Sequence, residues 1–581
     1  MEHVGSLHFQ RVEFTNTHHN LMITHHALTS LVLHIHSGPA DQVYSACSFD
    51  LFFLMNLLEL VAVATLAWSA DSATGDLLKV PGVGWLRGRK APGESTVRLF
   101  AGVRYALSPT GDRRWRPPEA AESADANEVV DATTFLPPCV QMTSEVIGSE
   151  DCLALNIYSP AAIEADARLP VLVFIHGGSY EKGTANIFAN GTWGPLYNGA
   201  GLAARGSVVV TLQYRLGALG FLGGAALRYR DPVAGSSGNY GVQDQRLALR
   251  WVKQHIHAFG GDPQRVLLFG QSAGGGSVGF HMLSNASRGL FSTAAIQSGY
   301  WAAQPVSIAE KQLTKLLSAL DCSDVKCLMA KPASVLVAAA AGVHTWAPVI
   351  DGVELLDAPL RLAEQGELAH IPFIIGFTRD ETDPGAFPDT TNESDFDLTL
   401  SEATPLLPPE LRAQAKAEYT SQHSSWAAAA SRLATDYGMG CPSLRMAQAG
   451  VSAGIPVYAY KFARKPKFPP ELMYPDAVGK SPSAYGAYHG SELPFVFADT
   501  WIPAWRIRQG DDERTVAASV GSHWLSMAAT GVPMKDWPQL TSGQHRWLLL
   551  DRTGFALDES MVLPPCGIEQ SLKTRDAPLV V

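Results

Sequence analysis

The chain has 581 residues, 46% of them hydrophobic and 17% charged, a balance that supplies a large buried core and excludes extensive disorder. Lys and Arg number 44 against 55 Asp and Glu. The formal net charge of -11 is offset by no basic cluster, so nucleic acid is excluded as an expected partner.

Residues 1–50 show little pattern beyond His18, His19, His25, His26, His34 and His36. A metal tract is the weaker reading of these histidines, because they precede an apolar run, Leu51 to Trp68, that ends in small residues through Ala73. Residues 51–70 resemble the core and cleavage region of a signal peptide, which implies a secretory route. Asn56 and Glu59 interrupt the run and leave it shorter than the roughly 20 apolar residues that cross a bilayer, so no stable membrane span is expected. Signal peptides begin close to the initiator methionine, and Met55 is a more ordinary start than Met1. The first 54 residues therefore read as an over-extended beginning, with residues 1–50 left unassigned.

From Leu78 to residue 581 a single domain is expected. Leu169 to Ile175 and Ser207 to Leu212 are β-branched apolar runs of strand length, the mark of strands buried on both faces. Asp244 to Phe259 has a roughly helical spacing of apolar residues, and Gly260-Gly261-Asp262-Pro263 stops it. Arg265 to Gly270 is a further strand. Strands alternating with helices predict an α/β fold with a mostly parallel, twisted central sheet and helices on both faces.

That last strand runs into Gly270-Gln271-Ser272-Ala273-Gly274. The G-x-S-x-G pattern requires a sharp strand-to-helix turn that lifts the serine hydroxyl clear of the sheet, and its glycines keep Cβ atoms from colliding. The pentapeptide alone is weak evidence; its place after a strand and before small, helix-compatible residues strengthens the reading of Ser272 as a nucleophile. A serine attacks poorly without a base, and its oxyanion needs donors in place. His176-Gly177-Gly178-Ser179-Tyr180 follows the strand ending at Ile175, and Gly178, Ser179 and Ala273 are the expected amide donors.

These residues resemble the type-B carboxylesterase and cholinesterase branch of the α/β hydrolases. Arg98 to Ala106, Arg114 to Pro118, Ser149 to Asn156, Tyr214 to Leu222 and Asn239 to Gln245 also fit that family, and the likeness spans about Leu78 to Trp547. It implies a small-molecule carboxylic ester as substrate, cleaved through an acyl-enzyme, with no cofactor or metal. It places the acid at Glu381, in Gly376-Phe-Thr-Arg-Asp-Glu-Thr382, where Thr382 replaces the family's glycine and Asp380 is a minor alternative. It places the base at His489, in Tyr488-His-Gly-Ser-Glu-Leu-Pro-Phe495. The order Ser, Glu, His is the one this fold uses.

The seven cysteines fit no paired zinc pattern, so disulfides are the expected use. By the same resemblance Cys139 pairs with Cys152, and Cys322 with Cys327 as a shortened second bridge; Cys47, Cys441 and Cys566 are left unassigned. Sequons at Asn190, Asn285 and Asn392 agree with an oxidising route. The loop between Cys139 and Cys152 lacks the tryptophan with which cholinesterases bind quaternary ammonium. Gln271 replaces the glutamate that many relatives carry before the nucleophile. Choline esters are therefore not expected. A lipase is the nearest enzymatic alternative, and a neuroligin-like adhesion protein, with the fold but without the triad, is the non-catalytic one.

Overall fold

The structure, a computed structural model, describes residues 77–558 except 122–126, 165, 187–195, 342, 344–345, 383–385, 405–407, 469–485, 499–510, 544–545 and 553–555. Its contacts divide the chain into Met1–Ala73 and Thr74–Val581, and every described residue belongs to the second unit. The histidine tract, the leader-like segment, Asn190, Cys47 and Cys566 lie outside the described residues.

Eleven strands form one mixed sheet. In chain order they are β1 (Arg89–Ala91), β2 (Glu94–Arg104), β3 (Ala154–Pro160), β4 (Leu169–Ile175), β5 (Val208–Leu212), β6 (Gly261–Gln271), β7 (Thr293–Gln297), β8 (Phe373–Thr378), β9 (Val457–Phe462), β10 (Trp547–Leu550) and β11 (Ala556–Asp558). Their spatial order is β11-β10-β9-β8-β7-β6-β4-β5-β3-β2-β1. From β5 to β10 the neighbours run parallel, and the antiparallel pairs are confined to the two edges.

The β4 run Leu-Pro-Val-Leu-Val-Phe-Ile shows why these strands are apolar throughout. Val171, Val173 and Ile175 enter the apolar core on one face, while Leu172 and Phe174 enter the core on the other. Alternate side chains point to opposite faces, so a strand covered on both sides has no polar positions. Helices α1 (Tyr240–His255), α2 (Ala273–Leu283) and α6 (Cys441–Ser452) contribute to the first core, and α7 (Asp511–Thr530) to the second. The expected helix starting at Asp244 begins four residues earlier; its last turn, Ile256–Phe259, tightens to a 3-10 helix that ends at left-handed Gly260. Pro263 lies inside β6, where the pairing with β4 is irregular between Gly261 and Val266, so the strand tolerates the missing N–H.

A smaller apolar cluster joins α3 (Glu393–Ala403), α4 (Pro409–Gln422) and α5 (Trp426–Thr435) through Phe396, Leu400, Ala415, Tyr419, Ala430 and Leu433. A π-helical turn, Asp436–Gly440, leads from this cluster into α6. Asp436 accepts from Tyr419 Oη at 2.8 Å and pairs with Arg432, whose guanidinium also donates to the Arg379 carbonyl just past β8.

Cys139 bonds to Cys152 and Cys322 to Cys327, the expected pairs, and Cys441 is disulfide-bonded as well. Among the described residues no helix is long and apolar enough to cross a membrane.

Past β5, Arg215 donates to both carboxylate oxygens of Asp244 on α1 at 2.7 and 2.8 Å, and its backbone N–H donates to the same group at 3.0 Å. Both side chains are buried, so removing one partner leaves a charge without solvent. Arg215→Leu is expected to cost about 3–5 kcal/mol in denaturant unfolding. A midpoint equal to that of the unaltered protein would count against this view of the pair.

Candidate active site

The parallel strands β6, β7 and β8 lie side by side and end on the same side of the sheet, where open α/β sheets bind ligands. β6 delivers Gln271 and Ser272, β7 delivers Gln297 and Ser298, and β8 delivers Thr378 and the Glu381 loop.

Ser272 caps α2 with φ 59 and ψ -125, a conformation that strains any residue with a Cβ. Its flanking glycines explain how the turn closes. A Cβ on Gly274 would lie 2.0 Å from the Ile175 carbonyl oxygen, and one on Gly270 would lie 2.5 Å from the Gly274 carbonyl group. The turn is held by Ser272 N–H donating to Gln297 O and by Tyr300 N–H donating to Ser272 O, both at 2.9 Å. Ser272 is 9% exposed.

The loop after β4 lies against this turn, since a Cβ on Gly177 would come within 2.8 Å of Ser272 Cβ. Gly178, Ser179 and Tyr180 all have positive φ, and the Gly178 carbonyl turns back to accept from Glu181 and Lys182 at 3.0 Å. The Ala273 N–H opens α2, where the first amides of a helix lack partners within it. His176 is a buried support: it stacks on Tyr214, and burial holds its pKa down at about 4.

Glu381 and His489 meet directly, with Nδ1 2.5 Å from Oε2. The other carboxylate oxygen accepts from Ser298 Oγ at 2.6 Å and Thr378 N at 2.5 Å, and the Glu381 N–H donates to Thr435 Oγ1 at 3.0 Å. A buried carboxylate with its lone pairs filled in this way can carry charge next to an imidazole. Asp380 faces elsewhere: it pairs with Arg379 at 2.9 Å and accepts from Ala487 N at 2.8 Å, tying the histidine loop to the end of β8. Thr382, at the family's glycine position, meets Ser431 of α5 at 2.7 Å.

His489 Nε2 lies 3.0 Å from the side-chain Nε2 of Gln271, the residue directly before Ser272. Sequence reasoning flagged Gln271 only for a missing charge. It missed Ser298 and Thr435 altogether, whose roles depend on contacts across the fold rather than on any local pattern.

It also missed Glu492, three residues after the histidine. This carboxyl is fully buried, accepts from Gln297 Nε2 at 3.2 Å, and its second oxygen has no hydrogen-bond partner among the described residues. Burial, and then the Glu381 charge, push its pKa up to about 7.

This sheet and its covering helices are an α/β-hydrolase fold. The chain belongs to the Carboxylesterase family, whose profile matches residues 76–568. It is similar to neuroligin-2 of Homo sapiens, 32% identical over 525 residues that cover 77% of this chain, and to neuroligin-2 of Mus musculus with the same figures. The match spans 59% of the length of those neuroligins. It is also similar to pyrethroid hydrolase Ces2e of Rattus norvegicus, 33% identical over 500 residues that cover 79% of this chain and 82% of that protein.

Because the folded protein raises the Glu492 pKa above its ordinary value of 4.5, the stability linked to this carboxyl is full below about pH 4.5 and lost as pH rises through about 7. Glu492→Gln removes that loss. The thermal midpoint of the variant relative to the unaltered protein is expected to rise between pH 5 and pH 8; a constant difference would show that the group does not titrate there.

Proposed function

We propose that the protein is a serine esterase that hydrolyses carboxylic esters of small molecules through an acyl-enzyme. Ser272 is the nucleophile, His489 the base that takes its proton, and Glu381 the acid that fixes the imidazole tautomer and stabilises its cation. Gly178, Ser179 and Ala273 supply the amides that receive the tetrahedral oxyanion. The observation that carries this reading is the 2.5 Å contact between His489 Nδ1 and Glu381, on loops that converge beside the Ser272 turn. It leaves Nε2 as the imidazole's basic atom.

The pyrethroid hydrolase among the relatives supports hydrolysis. The disulfides, with exposed sequons at Asn285 and Asn392, support a secreted glycoprotein. Absence of any aromatic residue between Cys139 and Cys152, and the neutral Gln271, argue against choline esters. The likeness to neuroligin-2 favours a second reading, a binding protein that uses this fold without catalysis. Occupied Ser, His and Glu positions weigh against it, and a lipase differs from the first reading only in activation at an oil interface.

Fluorophosphonate labelling separates the two readings. Unaltered protein is expected to label and to hydrolyse 4-nitrophenyl acetate. Ser272→Ala is expected to lose labelling and to lower turnover by a factor on the order of a million. Retained esterase activity in that variant, or an unaltered protein inert in both assays, would sink the proposal.

A further inference from the structure

The imidazole nitrogen that the proposed chemistry needs is already engaged. With Nδ1–H donating to Glu381, Nε2 carries a single lone pair, and the Gln271 amide nitrogen lies 3.0 Å from it. A neutral imidazole has one lone pair on Nε2, so an amide N–H that holds it and a serine hydroxyl that needs it compete for the same acceptor. Gln271 is 5% exposed, and its Oε1 lies beside Gly177, 3.2 Å from where a Cβ on that residue would stand, so the side chain lies between the imidazole and the loop after β4.

A glutamine amide differs from a carboxylate or a hydrocarbon here because it offers a donor and an acceptor at nearly identical positions. A half-turn about its last bond exchanges Nε2 and Oε1. The same side chain can thus donate to a neutral imidazole and accept from a protonated one.

We propose that Gln271 is a positioning residue for His489: its amide holds the Nε2 lone pair in the resting protein, yields it as Ser272 is deprotonated, and turns to accept the new N–H. In that step the Ser272 Oγ–H bond breaks as Oγ bonds to the ester carbon, and the proton moves to Nε2. Gln271 then releases that N–H, and the proton passes to the alcohol oxygen as the acyl C–O bond of the tetrahedral adduct breaks. This inference rests on the proposed roles of Ser272, His489 and Glu381. Among the described residues, the titratable groups around the imidazole include Glu381 on Nδ1 and Glu492 on its own loop, with Asp380, itself paired with Arg379, bound to the backbone of Ala487 two residues ahead. The β6 side contributes no charge through Gln271.

Two variants of full-length protein test it. Gln271→Glu places an anion beside Nε2, which favours imidazolium; the acid limb of kcat/KM for 4-nitrophenyl acetate is expected to move up by about one pH unit or more. Gln271→Met keeps the side-chain length and removes the hydrogen bond. Ser272 labelling by a small fluorophosphonate, measured above that limb, is expected to quicken by about threefold to tenfold, the worth of one neutral hydrogen bond. The methionine variant also keeps the test alive if the buried anion prevents folding. An unmoved limb in the first variant, or unchanged or slower labelling in the second, overturns the role of Gln271. Unaltered protein that neither labels nor hydrolyses the ester overturns the underlying esterase reading instead.

Discussion

The site depends on a place where two backbones pass closer than side chains permit. The carbonyl ending β4 faces the first turn of α2 across a gap that a Cβ on Gly274 would reduce to 2.0 Å. That closeness lets β6 end in an abrupt turn, and the turn holds Ser272 at a positive φ that costs on the order of 1–3 kcal/mol on its own. The parallel strands around it, buried on both faces, supply the packing that sustains the strain. It also brings Gln271 beside Gly177, so Ser272's neighbour, the loop after β4 and the His489 imidazole occupy one corner.

Around that corner the loops that carry Glu381 and His489 behave as one assembly. Asp380 exchanges hydrogen bonds with Ala487, donating its N–H to the Ala487 carbonyl and accepting from the Ala487 N–H. Glu381 then needs to reach only one more atom, Nδ1, while Ser298 and Thr378 fill its remaining oxygen. Asp380, a possible acid by sequence, is thus the clasp that brings the two loops together.

The parts legible in the sequence were those whose physics is local. The glycines at 270 and 274 are read from the pentapeptide because the collision they avoid involves neighbours in the chain and the strand beside it. The β4 run announced burial on both faces because every position is apolar. Family likeness rather than spacing singles out Glu381 and His489 in the sequence, and no periodicity could have paired residues 108 apart. Gln271 and His489 are 218 apart, and Ser298 and Glu381 are 83 apart. Their contacts are products of strand order, which one sequence does not display. Glu492 stood in plain view inside the histidine loop, yet nothing in the string marks it as a carboxyl denied water.

The three-helix cluster α3–α5 has an apolar core of its own, and it touches Glu381 through Thr435 and the next residue, Thr382, through Ser431. A unit with a separate core can soften at a lower temperature than the sheet. Heat would then reach the Glu381 loop before it reached the scaffold, so the contact between Glu381 and His489 can lose its aim, reversibly on cooling, while the strands are still in register.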